Sequence, residues 1–166
     1  MIYDNSSVRR QDRLLSIPRA IALLQEGEYG VLSVCNAQNE VYGLPVNYVW
    51  DGAEGIFIHC APDGKKLRYV DQNSRVSFCV VGKTLVHPAK FTTEYASIIL
   101  ACDARRNMSD EEKLKALHLL LLKYSPDDVN NGLKYAVQSL HRTEIIKLHI
   151  LSWSGKSKSI QKPLAG

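Results

Sequence analysis

Long apolar runs are missing from this chain of 166 residues. A helix that spans a bilayer needs about 20 consecutive apolar residues. The greasiest stretch here, residues 117–122, is interrupted by His118 inside a helical pattern. The N-terminal stretch 1–13 carries charge but no apolar segment of the kind a secretory signal needs. No membrane association and a cytoplasmic location are therefore expected. Cysteine is sparse: Cys35, Cys60, Cys79 and Cys102 include no CxxC pair, and the five histidines do not fall near them at ligand spacing. No metal site is expected, and the thiols read as reduced, buried small hydrophobes. There is no G-x-G-x-x-G after a strand, no P-loop and no G-x-S-x-G. A Rossmann dinucleotide site, a P-loop phosphate cradle and a hydrolase elbow are all left without support. The net charge is only +4, and apart from Arg9-Arg10, Lys65-Lys66 and the tail lysines Lys156, Lys158 and Lys162 the cations are scattered. Nucleic-acid binding would call for a denser basic stripe; a single bound phosphate needs far fewer cations.

What is present is an ordinary globular composition, 45% hydrophobic and 23% charged, without internal repeat or low-complexity linker. One domain over residues 1–166 is expected. Ile17, Ala20, Ile21 and Leu24 share one face of a helix over 16–27, with Ser16 as N-cap, Pro18 in its first turn and Gly27 at its end. Strands are expected at 29–35, 40–50, 56–60, 76–81, 95–105 and 143–153. In the second of these Tyr42, Leu44, Val46, Tyr48 and Trp50 alternate onto one face. A short helix follows Pro62-Asp63-Gly64 with Leu67 and Val70 inward, and 88–93 reads as a loop. Ser109-Asp110-Glu111-Glu112 is a capping box that starts a helix carrying Leu114, Leu117, Leu121 and Tyr124. Ser125-Pro126-Asp127 breaks it, and Leu133, Ala136, Val137 and Leu140 give a further helical face. The fold class is mainly β with flanking helices. Its six antiparallel strands hide their edges in a small barrel, and a helical insertion at about 109–141 precedes the last strand.

Three stretches hold residues capable of chemistry. Residues 58–66 end a strand in polar groups, turn on Gly64 and deliver Lys65 and Lys66 to a helix start. Free N–H groups, a helix dipole and ammonium charges are what a phosphate dianion requires; a solvated Lys-Lys on an exposed turn is the competing reading. In Gly43-Leu44-Pro45-Val46-Asn47-Tyr48, Pro45 cannot donate a ladder bond, so an edge or bulge is expected there. Such a place exposes backbone groups to a planar heterocycle, although Asn47 also fits an ordinary edge strand. His59 shares its strand face with Phe57, and is either a structural histidine or a proton donor. Trp153-Ser154-Gly155-Lys156, after the last strand, is either a plain tail or an aromatic lid with a cation.

These stretches, with Arg9-Arg10-Gln11-Asp12-Arg13, residues 75–81 and 91–97, Lys123-Tyr124-Ser125-Pro126-Asp127 and Ser154-Gly155-Lys156, run in order over about 9–156. In that order the chain resembles the nitroimidazole-resistance (Nim-type) branch of the pyridoxamine 5′-phosphate oxidase-like proteins. The resemblance implies a six-stranded FMN-binding split barrel that works as a homodimer, with flavin in grooves between the subunits. FAD stands in for FMN in some such proteins. It further implies that Lys65 and Lys66 bind the flavin phosphate, and that Val46, Asn47 and Tyr48 line the isoalloxazine with backbone and side-chain contacts. His59, Cys60 and Ala61 would flank the ring and ribityl chain, and Ser77 would reach the phosphate or ribityl. Trp153, Gly155 and Lys156 would close the site, from their own or the partner chain. His59 is the one catalytic candidate, as proton donor or stacking partner for an acceptor. One strand departs from the family pattern. Where a glycine is usual, this chain has Ala101-Cys102, and a side chain at Cys102 is expected to crowd a ligand there.

The implied activity is a flavin-dependent oxidoreductase that passes electrons from a nicotinamide donor to a small, electron-poor acceptor such as a 5-nitroimidazole. Two alternatives stand beside it: a flavin-binding protein that senses or sequesters without turnover, and a pyridoxamine 5′-phosphate oxidase proper. Haem ligation by His59 is a minor fourth reading.

Overall fold

The computed structural model describes residues 1–160, so Lys162 lies outside the described residues. Helix α1 (Ile17–Glu26) starts after Ser16 and ends at Gly27, whose N–H donates to the Leu23 carbonyl. Pro18 sits in the first turn, where an N–H would have no intrahelical partner. Strand β2 (Gly30–Cys35) then turns back into β3 (Val41–Val46). Buried Asn36 shapes that turn, its Oδ1 accepting from the N–H groups of Gln38 and Glu40 at 3.0 and 2.8 Å. A two-residue β1 (Ile2–Tyr3) precedes all of this and runs parallel to the last strand.

The strand expected over 40–50 is two strands. It parts at Asn47-Tyr48 into β3, which pairs with β2, and β4 (Val49–Trp50), which pairs with β5 (Gly55–Cys60). The chain continues through α2 (Lys65–Gln72), β6 (Arg75–Val81), β7 (Leu85–His87) and β8 (Thr92–Arg105). Helices α3 (Asp110–Tyr124) and α4 (Val129–Ser139) and strand β9 (Glu144–Lys158) complete it. Hydrogen-bonded neighbours follow the order β3-β2-β6-β8-β9-β5-β4. The strands at the two ends of this path are consecutive in the chain and joined only by Asn47 and Tyr48. A twisted sheet under that constraint has to curl until its ends meet, which makes a barrel split between β3 and β4. Pro45 is accommodated because β3 is an edge strand.

The fold is mainly β and antiparallel with flanking helices, but it has nine strands rather than six. The break at Asn47-Tyr48 adds one. The short strands β1 and β7 add the others, being two and three residues long, too short for alternation to show. The last strand is also longer than expected. Trp153-Ser154-Gly155-Lys156 is no tail but part of β9, opposite Leu100, Ile99, Ile98 and Ser97. Ser-Gly-Lys reads as a turn by composition, yet the fourteen-residue β8 offers ladder partners along its whole length.

Inward residues of the barrel strands, among them Leu32, Phe78, Leu100, Ile58, Leu148 and Trp153, form one core with α1 and α2. Helix α1 leads into the start of β2, while Gln72 of α2 accepts from the Ala37 N–H beyond its end. The two helices thus close opposite ends of the barrel. A second core lies outside the barrel wall, where Val49, Phe57 and Ile145 meet Ala116 and Leu120 of α3. The Ser109–Glu112 capping box starts α3 with both reciprocal bonds formed. In α4 the buried residues are Ala136 and Ser139, and Val137, expected to face inward, is exposed. No helix among the described residues is long and apolar enough to cross a membrane.

Candidate functional site

The turn Pro62-Asp63-Gly64 sets up the start of α2. Gly64 has φ 151°, a region side chains rarely enter, and its N–H donates to Asp63 Oδ1 at 2.7 Å. The first-turn N–H groups of Lys65 and Lys66 have no acceptor among the described residues. Helix N-termini carry partial positive charge, so these amides and the two ammonium groups make a donor set suited to a phosphate.

The two lysines do not act side by side. Successive helical residues point about 100° apart. Lys65 Nζ sits 4.9 Å from the Tyr42 ring centroid and 5.1 Å from that of Tyr69. The Tyr69 hydroxyl donates to Glu40 at 2.6 Å. Lys66 turns the other way, to place its charge near His59 and the Cys60 thiol. His59 has an exposed edge but is partly desolvated, and that desolvation, then the Lys66 charge, hold its pKa below the usual 6.5. Burial pushes the Cys60 thiol up, against the opposing pull of Lys66. Across the ladder from Cys60, buried Glu144 lies 3.7 Å from Arg106 and 3.8 Å from Lys113. Neither cation was singled out by sequence, because both stand outside any motif.

His59 is on the outer face of β5, the face that Phe57 buries under α3. Beside it, α3, α4 and the barrel wall line a cavity of about 360 Å³. Leu117, Leu120, Leu121 and Tyr124 form one wall; Gly132, Tyr135, Ala136 and Ser139 form the other. Asn47 and His59 come from the barrel side. Gly132 lets the two helices close on each other, because a Cβ there would push the Leu121 side chain aside. The sequence marked these helices only as core; that their packing leaves a cavity against β5 is not something periodicity reports.

The Asn47-Tyr48 crossover is held from the helical side. The Tyr48 N–H donates to the Tyr124 hydroxyl at 3.0 Å, and that hydroxyl lies 2.7 Å from the Glu28 carbonyl and 2.9 Å from the Tyr48 carbonyl. Lys123 Nζ stands 3.8 Å over the Tyr48 ring and donates to the Gly27 carbonyl at 2.7 Å. Burial lowers its pKa to about 8.

Several residues expected at the site are placed otherwise. The Tyr48 ring lies in the core with its hydroxyl donating to the Leu24 carbonyl, and its N–H and carbonyl are both taken by Tyr124, so it offers a ligand neither ring nor backbone. The alternation of 40–50 correctly turned it inward, and inward is away from any groove. Trp153 is 3% exposed and packs edge-on against Tyr3 at 4.8 Å, which rules it out as a lid. Gly155 is buried, its N–H donating to Asn5 and its carbonyl accepting from Leu15. Cys102, expected to crowd a ligand, is 1% exposed and faces the barrel core. Of the four thiols it alone is buried; Cys35, Cys60 and Cys79 are half-buried. Val46 is half-buried next to exposed Asn47, whose Nδ2 donates to the Glu28 carbonyl at 3.2 Å. Ala61 is exposed beyond β5. Ser77 and Lys156 are both half-buried on strands β6 and β9, away from the cavity walls.

A family model described as pyridoxamine 5′-phosphate oxidase matches residues 18–157. No curated protein matches the chain. Solved structures share its fold at low identity. One is a candidate 5-nitroimidazole antibiotic resistance protein from Bacteroides thetaiotaomicron, with TM-score 0.70 and 14% identity, covering 87% of this chain and 86% of that one. A FAD-binding protein from Mesorhizobium loti has TM-score 0.61 and 19% identity over 89% and 98%. A flavocytochrome from Azotobacter vinelandii has TM-score 0.72 and 14% identity over 91% and 71%. With a match over nearly its whole length and a split barrel to go with it, the chain belongs to the pyridoxamine 5′-phosphate oxidase family.

Proposed function

We propose that this protein binds a flavin nucleotide and uses it to reduce a small, electron-poor acceptor, in the manner of the nitroimidazole-resistance branch of its family. The observation that carries the reading is the start of α2. Two unpaired N–H groups and the Lys66 ammonium lie there, next to the strand end that bears His59 and Cys60. FMN, or FAD in its place, supplies the electron-carrying ring when bound. Lys66 and the α2 amides hold its phosphate, and Lys65 adds charge from the Tyr42 side. The backbone of Val46 and Asn47 offers hydrogen bonds at the split between β3 and β4. His59 faces the acceptor and holds or gives a proton at its imidazole nitrogen.

The reading includes a homodimer. On the outer face of the sheet Ile99, Cys79, Val31 and Pro45 stand in one row across four strands, and Ala101, Ser77, Ser33 and Gly43 in the next. Ile99, Val81 and Val41 on this face are 49%, 50% and 81% exposed. An outer face of small and apolar residues suits a second copy of the chain, and would put Ser77 and Lys156 of one subunit near the flavin of the other.

The test is anaerobic addition of NADH to the flavin-loaded protein, followed by a nitroaromatic. Bleaching of the flavin bands and their return on adding acceptor support the reductase. A spectrum that NADH leaves unchanged favours the sequestering or sensing role, and formation of pyridoxal phosphate from pyridoxamine phosphate would favour the oxidase proper.

A further inference from the structure

The cavity between α3, α4 and β5 has a chemical character of its own. Its lining contains no Asp, Glu, Lys or Arg. The floor, Leu120, Ala136 and Ser139, is buried, whereas His59, Asn47 and Ser125 are exposed at the rim. The polar groups deeper in are already satisfied. Ser139 Oγ donates to the Tyr135 carbonyl at 2.9 Å, Thr143 Oγ1 donates to the Ser139 carbonyl at 2.9 Å, and the Tyr124 hydroxyl is taken by the crossover. At the rim the His59 imidazole, Asn47 Oδ1 and the Ser125 hydroxyl have no partner among the described residues. The volume, about 360 Å³, is at the small end of ligand sites, which run from roughly 300 to 1,000 Å³. It suits one or two rings and excludes a dinucleotide.

We propose that this cavity binds an uncharged, flat aromatic compound, with its ring on the apolar floor and a hydrogen-bonding substituent at the His59–Asn47 rim. The inference rests on the proposed function, and makes the cavity that enzyme's acceptor subsite. A charge carried down onto the floor would leave water where the lining supplies no countercharge, Lys66, Lys123 and Arg142 lying behind the rim and walls, and that is strongly unfavourable. On the same ground the phosphate of a substrate such as pyridoxamine phosphate is kept off the floor.

The test compares two molecules of the same shape, 1,3-dinitrobenzene and isophthalate, the first neutral and the second doubly charged. Their affinities for the oxidised, flavin-loaded protein are measured by calorimetry with no electron donor present. Dinitrobenzene is expected to bind at least tenfold tighter, and Ala136→Leu, which fills the floor, is expected to weaken it at least tenfold while the flavin bands persist. Should Ala136→Leu fail to fold by circular dichroism, Leu117→Trp fills the cavity from the half-buried wall and is expected to act alike. Equal affinities, no dinitrobenzene binding, or an affinity unmoved by the filling variant overturns the proposal. A protein that takes up no flavin defeats the functional reading instead, and the same pair of affinities on the flavin-free protein then judges the cavity alone.

Discussion

The Tyr124 hydroxyl, at the end of α3, caps the backbone of Tyr48 at the point where the chain leaves one end of the sheet for the other. It accepts from the Tyr48 N–H at 3.0 Å and lies 2.9 Å from the Tyr48 carbonyl. One phenol thus joins the helical insertion, and the cavity it lines, to the split of the barrel. Tyr124→Phe leaves the Tyr48 N–H without an acceptor, which costs about 1–3 kcal/mol. A lower urea midpoint is expected, together with weaker flavin binding.

The lysines of α2 separate by direction. Lys66→Met is expected to weaken FMN binding tenfold or more and to leave riboflavin, which has no phosphate, nearly unaffected. Lys65→Met is expected to do less, because that ammonium already rests against the rings of Tyr42 and Tyr69. Fluorescence titration of each variant with both flavins checks the order.

His59 is held below 6.5 by partial desolvation and by Lys66. If its protonated form feeds the acceptor, the rate of nitroaromatic reduction falls as pH rises from about 5 to about 8. His59→Gln should flatten that profile, and an NMR titration of the wild type should show a midpoint under 6.5.

Lys123 titrates at about 8 in the fold, against 10.5 when unperturbed. Above 10.5 it is neutral in both states; below about 8 it is charged in both, and its burial cost is fully present. Between those limits the unfolded chain binds the extra proton, so this lysine's contribution to stability rises with pH. Unfolding midpoints of wild type and Lys123→Met, measured at about pH 7.5 and about pH 10, should differ in that sense. The wild type should gain relative to the variant at the higher pH.

Ile99→Glu puts a charge at the middle of the exposed sheet face. Sedimentation should show a dimer for the wild type and a monomer for the variant, with flavin affinity lost along with the partner.

Much of the fold could be read from residues that act locally. Pro18 and Gly27 bound α1 and the Ser109–Glu112 box starts α3, each through constraints that reach only a few residues. The errors lie where distant partners decide. Ser154-Gly155-Lys156 becomes strand because β8 is long enough to pair with it, and the strand over 40–50 breaks because β4 has β5 to join. At the site, sequence brought Lys66, His59 and Asn47 to notice but gave the groove the rings of Tyr48 and Trp153, which the core takes. The cavity was illegible. Leu117, Leu121 and Ala136 have the periodicity of any packed helix, and only their arrangement leaves space between them.

The most direct test is to purify the protein, denature it and weigh whatever chromophore is released. The account predicts a yellow protein that yields a flavin nucleotide, FMN or FAD. A colourless protein that also takes up neither nucleotide when each is added would contradict it.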